Sequence, residues 1–172
     1  MNNSDNIRCA VCSQIYGVLT GQMPAGSMNW SQHKHKGALA GYPKDGYWEI
    51  NYQFNSGKLP NGKRYSGTGR TAYLPDNKEG REVLALLVKA FERRLTFIVG
   101  TSVTTGATDT VVWSGIHHKT NTHGGSSSFG YPDVSYLNRV TLELADRGVT
   151  LDNPLEEVTR VTKSSKGSVV IN

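Results

Sequence analysis

The stretch Trp48-Glu-Ile-Asn-Tyr-Gln-Phe54 alternates apolar and polar side chains at every position. A period of two is typical of a β-strand that buries one face and exposes the other. The sequence therefore predicts a strand over residues 47–54, and the turn-forming segment Asn55-Ser-Gly57 ends it. Residues 57–69, which are rich in glycine and polar side chains, are predicted to form a loop.

Two later segments show the periodicity of amphipathic helices. The first begins near Asp76, which precedes Glu79 with the spacing of a capping box. Its apolar face consists of Val83, Leu84, Leu87, Val88 and Phe91. The second is predicted to begin at Asp133 and to end before Gly148, which suits the left-handed backbone after a helix. Its apolar stripe consists of Tyr136, Leu137, Val140 and Leu144.

Shorter strand signals lie around Met28 and Trp30 and over residues 95–99 and 111–113. Strands and helices without regular βαβ alternation favour an α+β fold. We expect a single compact domain with a central, mostly antiparallel sheet and two main helices. Residues 1–19 are expected to form a frayed N-terminus, residues 20–150 the domain, and residues 151–172 a C-terminal tail. The end of that tail, Val169-Val-Ile171, is either an edge strand or a tag-like end.

Composition limits the possible classes of protein. The 172 residues are 37% hydrophobic and 19% charged, which is enough apolar material for a packed core. No apolar run approaches the roughly 18 residues of a membrane span, and residues 1–7 lack the features of a secretory signal. We therefore expect a cytoplasmic or nuclear protein without a membrane partner. The net charge of +5 is mild and does not demand a nucleic-acid partner.

The chain has two cysteines, Cys9 and Cys12, in a Cys-x-x-Cys pair. Such a pair supplies half of a tetrahedral zinc site, which needs two more thiolate or imidazole ligands. The nearest candidates are His33 and His35, but the lysines beside them oppose a cation. We expect no complete metal site within this chain.

Two adjacent histidines, His117 and His118, follow the predicted strand that ends at Trp113. Neighbouring side chains on extended backbone point in opposite directions. One histidine can therefore face a pocket while the other packs behind it, although both can equally be structural. The loops at residues 100–110 and 124–128 are rich in glycine and hydroxyl groups, and such loops can bind phosphate or ribose.

Glu143 lies at the edge of the apolar stripe of the second helix, about 20° from Tyr136 at about 100° per residue. An inward carboxylate of this kind is either paired structurally or acts as a base. Arg147, one helical turn later, is the candidate partner for a structural pair. The sequence leaves both possibilities open.

Several long motifs resemble those of the Deltex C-terminal domain, which ends a family of RING-type E3 ubiquitin ligases. They are Gly62-Lys-Arg-Tyr65, Arg70-Thr-Ala-Tyr-Leu-Pro-Asp-Asn-Lys-Glu-Gly80, the run from Leu95 to Gly106, Trp113, Ile116-His-His-Lys-Thr120 and Gly130-Tyr-Pro-Asp133. The resemblance covers roughly residues 20–150. Cys9 and Cys12 resemble the last ligand pair of the preceding RING finger, whose other six ligands this chain does not contain.

The resemblance implies a domain that binds ADP-ribose or NAD and supports transfer of ubiquitin to proteins and to a ribose hydroxyl of ADP-ribose. It implies that Glu143 is the catalytic base and that His117 contacts the ligand and takes part in catalysis. The implied ligand-binding residues are Val103, Thr104, Thr105, Gly106, His117, His118, Phe129 and Tyr131.

The resemblance also implies the partners and cofactors. A ubiquitin-loaded E2 and ubiquitin would bind through a RING, and ADP-ribosylated proteins and Notch pathway components are further candidates. A nucleic acid is implied only if it is ADP-ribosylated or serves as an acceptor. The domain itself requires no cofactor, and zinc is implied only where the rest of a RING is present.

Two positions depart from the family pattern. Val103 stands where some members carry a serine, and Phe129 stands where members carry a histidine or tyrosine. Phenylalanine can neither transfer a proton nor donate a hydrogen bond. Two alternatives therefore stay open: a non-catalytic reader of ADP-ribosylated partners, and a protein-interaction domain with a vestigial pocket.

Overall fold

The computed structural model describes residues 7–8, 10–12 and 15–172 of the chain. The strands are β1 (Ile7–Arg8), β2 (Ile15–Tyr16), β3 (Gly26–His33), β4 (Tyr47–Phe54), β5 (Gly57–Lys58), β6 (Arg64–Tyr65), β7 (Thr68–Pro75), β8 (Phe97–Gly100), β9 (Thr110–Trp113) and β10 (Lys166–Ile171). The helices are α1 (Lys78–Glu92), α2 (Tyr136–Asp146) and α3 (Pro154–Thr162), and Ser126–Ser128 form a short 3-10 turn.

The central sheet has four strands in the order β10-β3-β4-β7, and every neighbouring pair is antiparallel. Strand β4 buries every second side chain, as its alternation predicts. These residues, each no more than 2% exposed, are Trp48, Ile50, Tyr52 and Phe54. The predicted α+β fold with a central antiparallel sheet is thus confirmed, with α3 as a third helix.

Helix α1 packs its apolar stripe into the core on one face of this sheet. The prediction that Asp76 caps this helix is wrong: the N-cap is Asn77, whose side-chain oxygen accepts from the Gly80 amide at 2.9 Å. The Asp76 carboxylate instead accepts hydrogen bonds from Trp48 and Arg81. Two adjacent residues of similar capping ability compete here, and contacts distant in sequence decide between them.

The prediction of a loop over residues 57–69 is also wrong in part. This segment contains the two-residue strands β5 and β6 and the beginning of β7. Strand β7 pairs with β4 over its whole length, yet its first three residues do not reach the core. A strand with so few buried positions has no clear alternation, which explains why its sequence does not identify it.

Residues 151–172, predicted as a tail, form α3 and the edge strand β10. Strand β10 pairs with β3 at all six of its residues, so the edge-strand alternative is the correct one. The indole Nε1 of Trp30 donates to the Val161 carbonyl at 2.9 Å and connects α3 to the sheet. The core therefore extends beyond residue 150.

Strands β8 and β9 form a hairpin, and the chain after β9 runs beside β7 in the same direction. The Val111 amide donates to the Ser66 carbonyl, and the Tyr73 amide donates to the Lys119 carbonyl. This path brings residues 114–119 past the end of the hairpin and towards α2. No helix among the described residues is long and apolar enough to span a membrane.

Candidate functional site

His117 and Glu143 form a close pair at the surface, although 26 residues separate them in the chain. The imidazole Nδ1 of His117 lies 2.5 Å from Oε1 of Glu143, and the main-chain N–H of His117 donates to Oε2 at 2.9 Å. The His117 side chain is 70% exposed and that of Glu143 is 25% exposed. One carboxylate therefore holds both the backbone and the ring of an exposed histidine.

The protonation pattern of this pair follows from its geometry. The carboxylate accepts, so Nδ1 of His117 carries the proton that lies between them. The other ring nitrogen, Nε2, has no hydrogen-bond partner within the described part of the chain, and the side chain as a whole is 70% exposed. The arrangement resembles the carboxylate–imidazole half of a catalytic triad, in which an acid orients a base.

Arg147 is not the partner of the Glu143 carboxylate. Its guanidinium donates to the main-chain carbonyl of Glu143 at 2.9 Å and to that of Ser114 at 3.4 Å. The possible ion pair between these side chains is therefore absent from the described structure. Arg147 instead connects the end of α2 to the segment that carries His117.

His118 is the buried member of the two adjacent histidines. Its ring is only 8% exposed, and it stacks on Trp113 with a centroid separation of 4.2 Å. Nδ1 lies 2.8 Å from the Ile116 carbonyl oxygen, and Nε2 lies 2.8 Å from the hydroxyl of Tyr52. Both nitrogens are thus occupied inside the protein. The sequence expectation that adjacent histidines divide into an outer and an inner one agrees with this placement.

The other predicted ligand contacts differ in exposure. Tyr131 is fully buried, and its hydroxyl donates to the Tyr73 carbonyl at 2.8 Å. Phe129 is 63% exposed and has left-handed backbone with φ of 54°. The Phe129 carbonyl accepts from the Thr120 amide at 2.9 Å, which places the Phe129 backbone beside the end of the segment that carries the two histidines.

The hydroxyl-rich loop of residues 101–109 connects β8 to β9. Val103, Thr104, Thr105 and Gly106 are all exposed. Hydrogen bonds within the loop join Ser102 to Thr105, Gly106 and Ala107. The loop lies at the end of the hairpin opposite to Trp113. The length of β9 separates the end of the loop from Trp113 by about 10 Å.

Residues that the sequence does not mark as part of a site support the histidine pair from within the protein. The carboxylate of Asp133 accepts from Lys119 at 2.7 Å and from Arg139 at 3.0 Å, and the side chains of Lys119 and Asp133 are 5% and 7% exposed. Hydrogen bonding from Arg139, followed by that from Lys119, holds the pKa of Asp133 far below its usual range. The prediction that Asp133 caps α2 is therefore wrong, and the N-cap is Ser135.

Tyr136 also anchors the segment of residues 114–119, which carries the two histidines. Its buried hydroxyl donates to the His117 carbonyl at 2.9 Å. Burial raises the pKa of Tyr136, so the hydroxyl stays protonated. The sequence shows Tyr136 only as part of the apolar stripe. The one available signal is that a buried tyrosine hydroxyl usually requires a hydrogen-bond partner.

The predicted zinc-ligand pair lies mostly outside the structure. Cys9 lies outside the described residues, and Cys12 is an exposed free cysteine. Within the described ranges, no group of three or more histidine, cysteine, aspartate or glutamate side chains is arranged to hold a metal ion.

Comparison with known proteins identifies the family. Residues 20–149 match the model of the Deltex C-terminal domain, which is most of the chain. The protein belongs to the Deltex C-terminal domain family.

Among characterised relatives, the chain is 46% identical over 149 residues to the probable E3 ubiquitin-protein ligase DTX3 of Homo sapiens. It is 44% identical over 156 residues to E3 ubiquitin-protein ligase DTX1 of Homo sapiens, and 42% identical over 163 residues to E3 ubiquitin-protein ligase DTX4 of Mus musculus. These matches cover 84%, 87% and 91% of this chain. The chain spans 43% of the length of DTX3 and about a quarter of the length of the other two.

Proposed function

We propose that this chain is the ADP-ribose- or NAD-binding domain of a Deltex-type E3 ubiquitin ligase and supports transfer of ubiquitin to a ribose hydroxyl. The observation that carries the proposal is the His117–Glu143 pair, with its exposed Nε2 and its fully engaged carboxylate. Membership of the Deltex C-terminal domain family supports the ubiquitin-ligase context.

The pair suits proton transfer from a weak nucleophile. A ribose hydroxyl attacks a thioester poorly until a positioned base removes its proton. Both Glu143 oxygens already accept hydrogen bonds from His117, whereas Nε2 receives none from the residues that the structure describes. In the proposed reaction Nε2 therefore takes the proton, and Glu143 stabilises the imidazolium that forms. This modifies the role that the family resemblance implies, in which Glu143 itself is the base.

The proposed step is a single acyl transfer from the E2 thioester to the ribose hydroxyl. The ribose oxygen forms an ester bond with the C-terminal carbonyl carbon of ubiquitin, and the thioester bond to the E2 cysteine breaks. The departing sulfur takes the proton from the imidazolium, which restores the neutral ring. The domain needs no cofactor for this step. Zinc belongs to the RING that would position the E2, and ADP-ribosylated proteins are the proposed partners.

The 101–109 loop and Phe129 would form the remainder of the ligand site. The exposed hydroxyl and amide groups of the loop are suited to phosphate or ribose oxygens. The exposed ring of Phe129 offers a flat apolar surface to a ligand.

Binding is tested by calorimetric titration of ADP-ribose into the wild-type chain and the His117→Ala variant. We expect saturable binding that weakens by about 1–3 kcal/mol in the variant, because polar groups of the ligand lose their partner. His35→Ala, which alters an exposed histidine of the loop after β3, is the matched control and should bind as the wild type does. Equal affinity of His117→Ala and the wild type would contradict the assignment.

A second candidate function is a reader that binds ADP-ribose without catalysis. The specific observation in its favour is Phe129, which has no group that moves a proton. Single-turnover ubiquitin transfer, with a Deltex RING and loaded E2 supplied in trans, separates the two functions. Transfer by the wild-type chain supports catalysis, whereas binding without transfer supports the reader. Under the catalytic function, Phe129→His should increase transfer with little change in affinity.

A further inference from the structure

Tyr52 and His118 connect the core of the sheet to the surface pair. Tyr52 lies two residues before the end of β4 and is 1% exposed, and its hydroxyl oxygen lies 2.8 Å from Nε2 of His118. On the opposite side of the same ring, Nδ1 lies 2.8 Å from the Ile116 carbonyl oxygen. A buried tyrosine is thereby linked through an imidazole to the backbone directly before His117.

The direction of these hydrogen bonds is determined by what each group can do. The Ile116 carbonyl can only accept, so Nδ1 of His118 carries the proton and Nε2 has the lone pair. The Tyr52 hydroxyl must then donate to Nε2. Burial lowers the pKa of His118 to about 4 and raises the pKa of Tyr52, so both groups are neutral at pH 7. One tautomer of His118 is therefore selected.

The linkage acts on a single peptide unit. The Ile116 carbonyl and the His117 N–H belong to the same planar group. Its carbonyl accepts from His118, and its N–H donates to Oε2 of Glu143. Rotation of this peptide would break both hydrogen bonds. The chain of contacts thus continues from Tyr52 through His118 and the peptide to Glu143, and then to the ring of His117.

We propose that Tyr52 and His118 are positioning residues, which fix the plane of the Ile116–His117 peptide and thereby aim the His117 imidazole and the Glu143 carboxylate. Neither residue contacts the reacting atoms. The effect on transfer rests on the proposed function, whereas the effect on the geometry of the pair does not.

Ordinary core packing is the competing explanation, because the Tyr52 ring also contacts Phe91, Phe97 and Trp113. The Tyr52→Phe variant separates the two, since it removes only the hydroxyl and keeps the ring. Trp48→Phe is the control. It deletes another side-chain hydrogen bond of β4, the partly buried one that the Trp48 indole donates to Asp76 at 2.8 Å.

The measurement is amide hydrogen exchange at His117 by NMR, together with the tautomer of His118 from ring-nitrogen chemical shifts. In Tyr52→Phe we expect the His117 amide to exchange roughly tenfold faster, the effect of losing about one net hydrogen bond. Trp48→Phe should lower the melting temperature without this local change. In transfer assays Tyr52→Phe should lower kcat several-fold and leave the Kd for ADP-ribose nearly unchanged.

If the His117 amide of a folded Tyr52→Phe variant exchanged its hydrogen at the wild-type rate, the proposal would be overturned. The unaltered chain provides a test that needs no variant: a proton on Nε2 of His118 instead of Nδ1 would also overturn it. If the wild-type chain neither binds ADP-ribose nor supports transfer, the proposed function fails, and the exchange and tautomer results still decide the positioning roles.

Discussion

The segment around His117 and the loop of residues 101–109 are held in different ways, although both are assigned to one ligand site. The ring and amide of His117 bond to Glu143, and its carbonyl bonds to Tyr136. The loop is held by hydrogen bonds between its own residues. Its last residue, Asp109, also forms an ion pair with Lys63 and accepts a backbone hydrogen bond from Ser66.

This difference separates the two tasks of the proposed site. Proton transfer requires groups held within a fraction of an ångström, and only contacts with a rigid core provide this. Ligand capture tolerates an exposed loop that becomes ordered when the ligand binds. Changes to the segment that carries His117 should therefore alter catalysis and stability as well as affinity, whereas changes to the loop should alter affinity alone.

The largest effect is expected from Glu143→Gln. The amide keeps the shape of the side chain, but its N–H₂ group faces a donor of His117 and cannot stabilise an imidazolium. We expect RING-supplemented ubiquitin transfer to fall by roughly 10²–10⁴-fold, with a much smaller loss of ADP-ribose affinity. Arg147→Lys is the control, since Arg147 donates to the backbone carbonyls of Glu143 and Ser114 and forms no ion pair with the Glu143 carboxylate in the described structure. Transfer at the wild-type rate in Glu143→Gln would exclude the catalytic role.

The second effect concerns the anchor of the histidine segment. Asp133→Asn leaves the buried ammonium of Lys119 without a carboxylate, and we expect the free energy of unfolding to fall by about 3–5 kcal/mol. The folded-state pKa of Asp133 lies below its unfolded value, so this stability is present above about pH 4 and is lost as the pH falls further.

Denaturant titration at pH 7 and pH 3 measures both effects of Asp133→Asn. The control is Asp152→Asn, whose carboxylate is 81% exposed in its pair with Lys89. It should change stability by less than about 1 kcal/mol. Equal changes in the two variants would show that the Lys119–Asp133 pair does not anchor the segment.

The third effect is a pH dependence that comes from His118. Burial lowers its folded-state pKa to about 4, so the unfolded chain binds a proton first as the pH falls. Stability is therefore complete above about pH 6.5 and decreases between there and pH 4, by at most about 3 kcal/mol. The difference in unfolding free energy between the wild type and His118→Gln, measured from pH 7.5 to 4.5, isolates this contribution. A difference that does not vary with pH would contradict it.

The smallest effect on stability is expected in the loop. Thr104→Ala alters an exposed side chain that makes no hydrogen bond in the described structure, so unfolding free energy should change by less than about 0.5 kcal/mol. We nevertheless expect a several-fold weaker affinity for ADP-ribose in calorimetry. A loss of stability comparable to that of Asp133→Asn would show that the loop is part of the rigid core.

Elements with strong periodicity could be predicted, and those whose signals are local but ambiguous could not. The alternation of β4 and the stripe of α1 each identify their element, because burial repeats at a fixed interval. Strand β7 has too few buried positions for such a repeat. The competition between Asp76 and Asn77 for the helix cap is decided by Trp48 and Arg81, which a capping pattern does not include.

The candidate site shows the same division. The helical position of Glu143 predicts a partly buried carboxylate, but two partners were possible. In the structure the Glu143 carboxylate bonds to His117, and Arg147 donates to backbone carbonyls instead. Tyr52 appears in the sequence only as a core residue of β4, and nothing near it indicates that its hydroxyl bonds to a histidine 66 residues away.

The sequence by itself determined the strand β4, the stripes of α1 and α2, the family, and the residue types available for chemistry. The strand and the stripes follow from local spacing and the family from the resemblance of its motifs, and a linear chain records both directly. Only the tertiary structure decided which histidine faces solvent, which partner Glu143 takes and what supports the Ile116–His117 peptide. Each of these depends on hydrogen bonds between residues far apart in the chain, and such bonds are made wherever folding brings a buried donor to an acceptor.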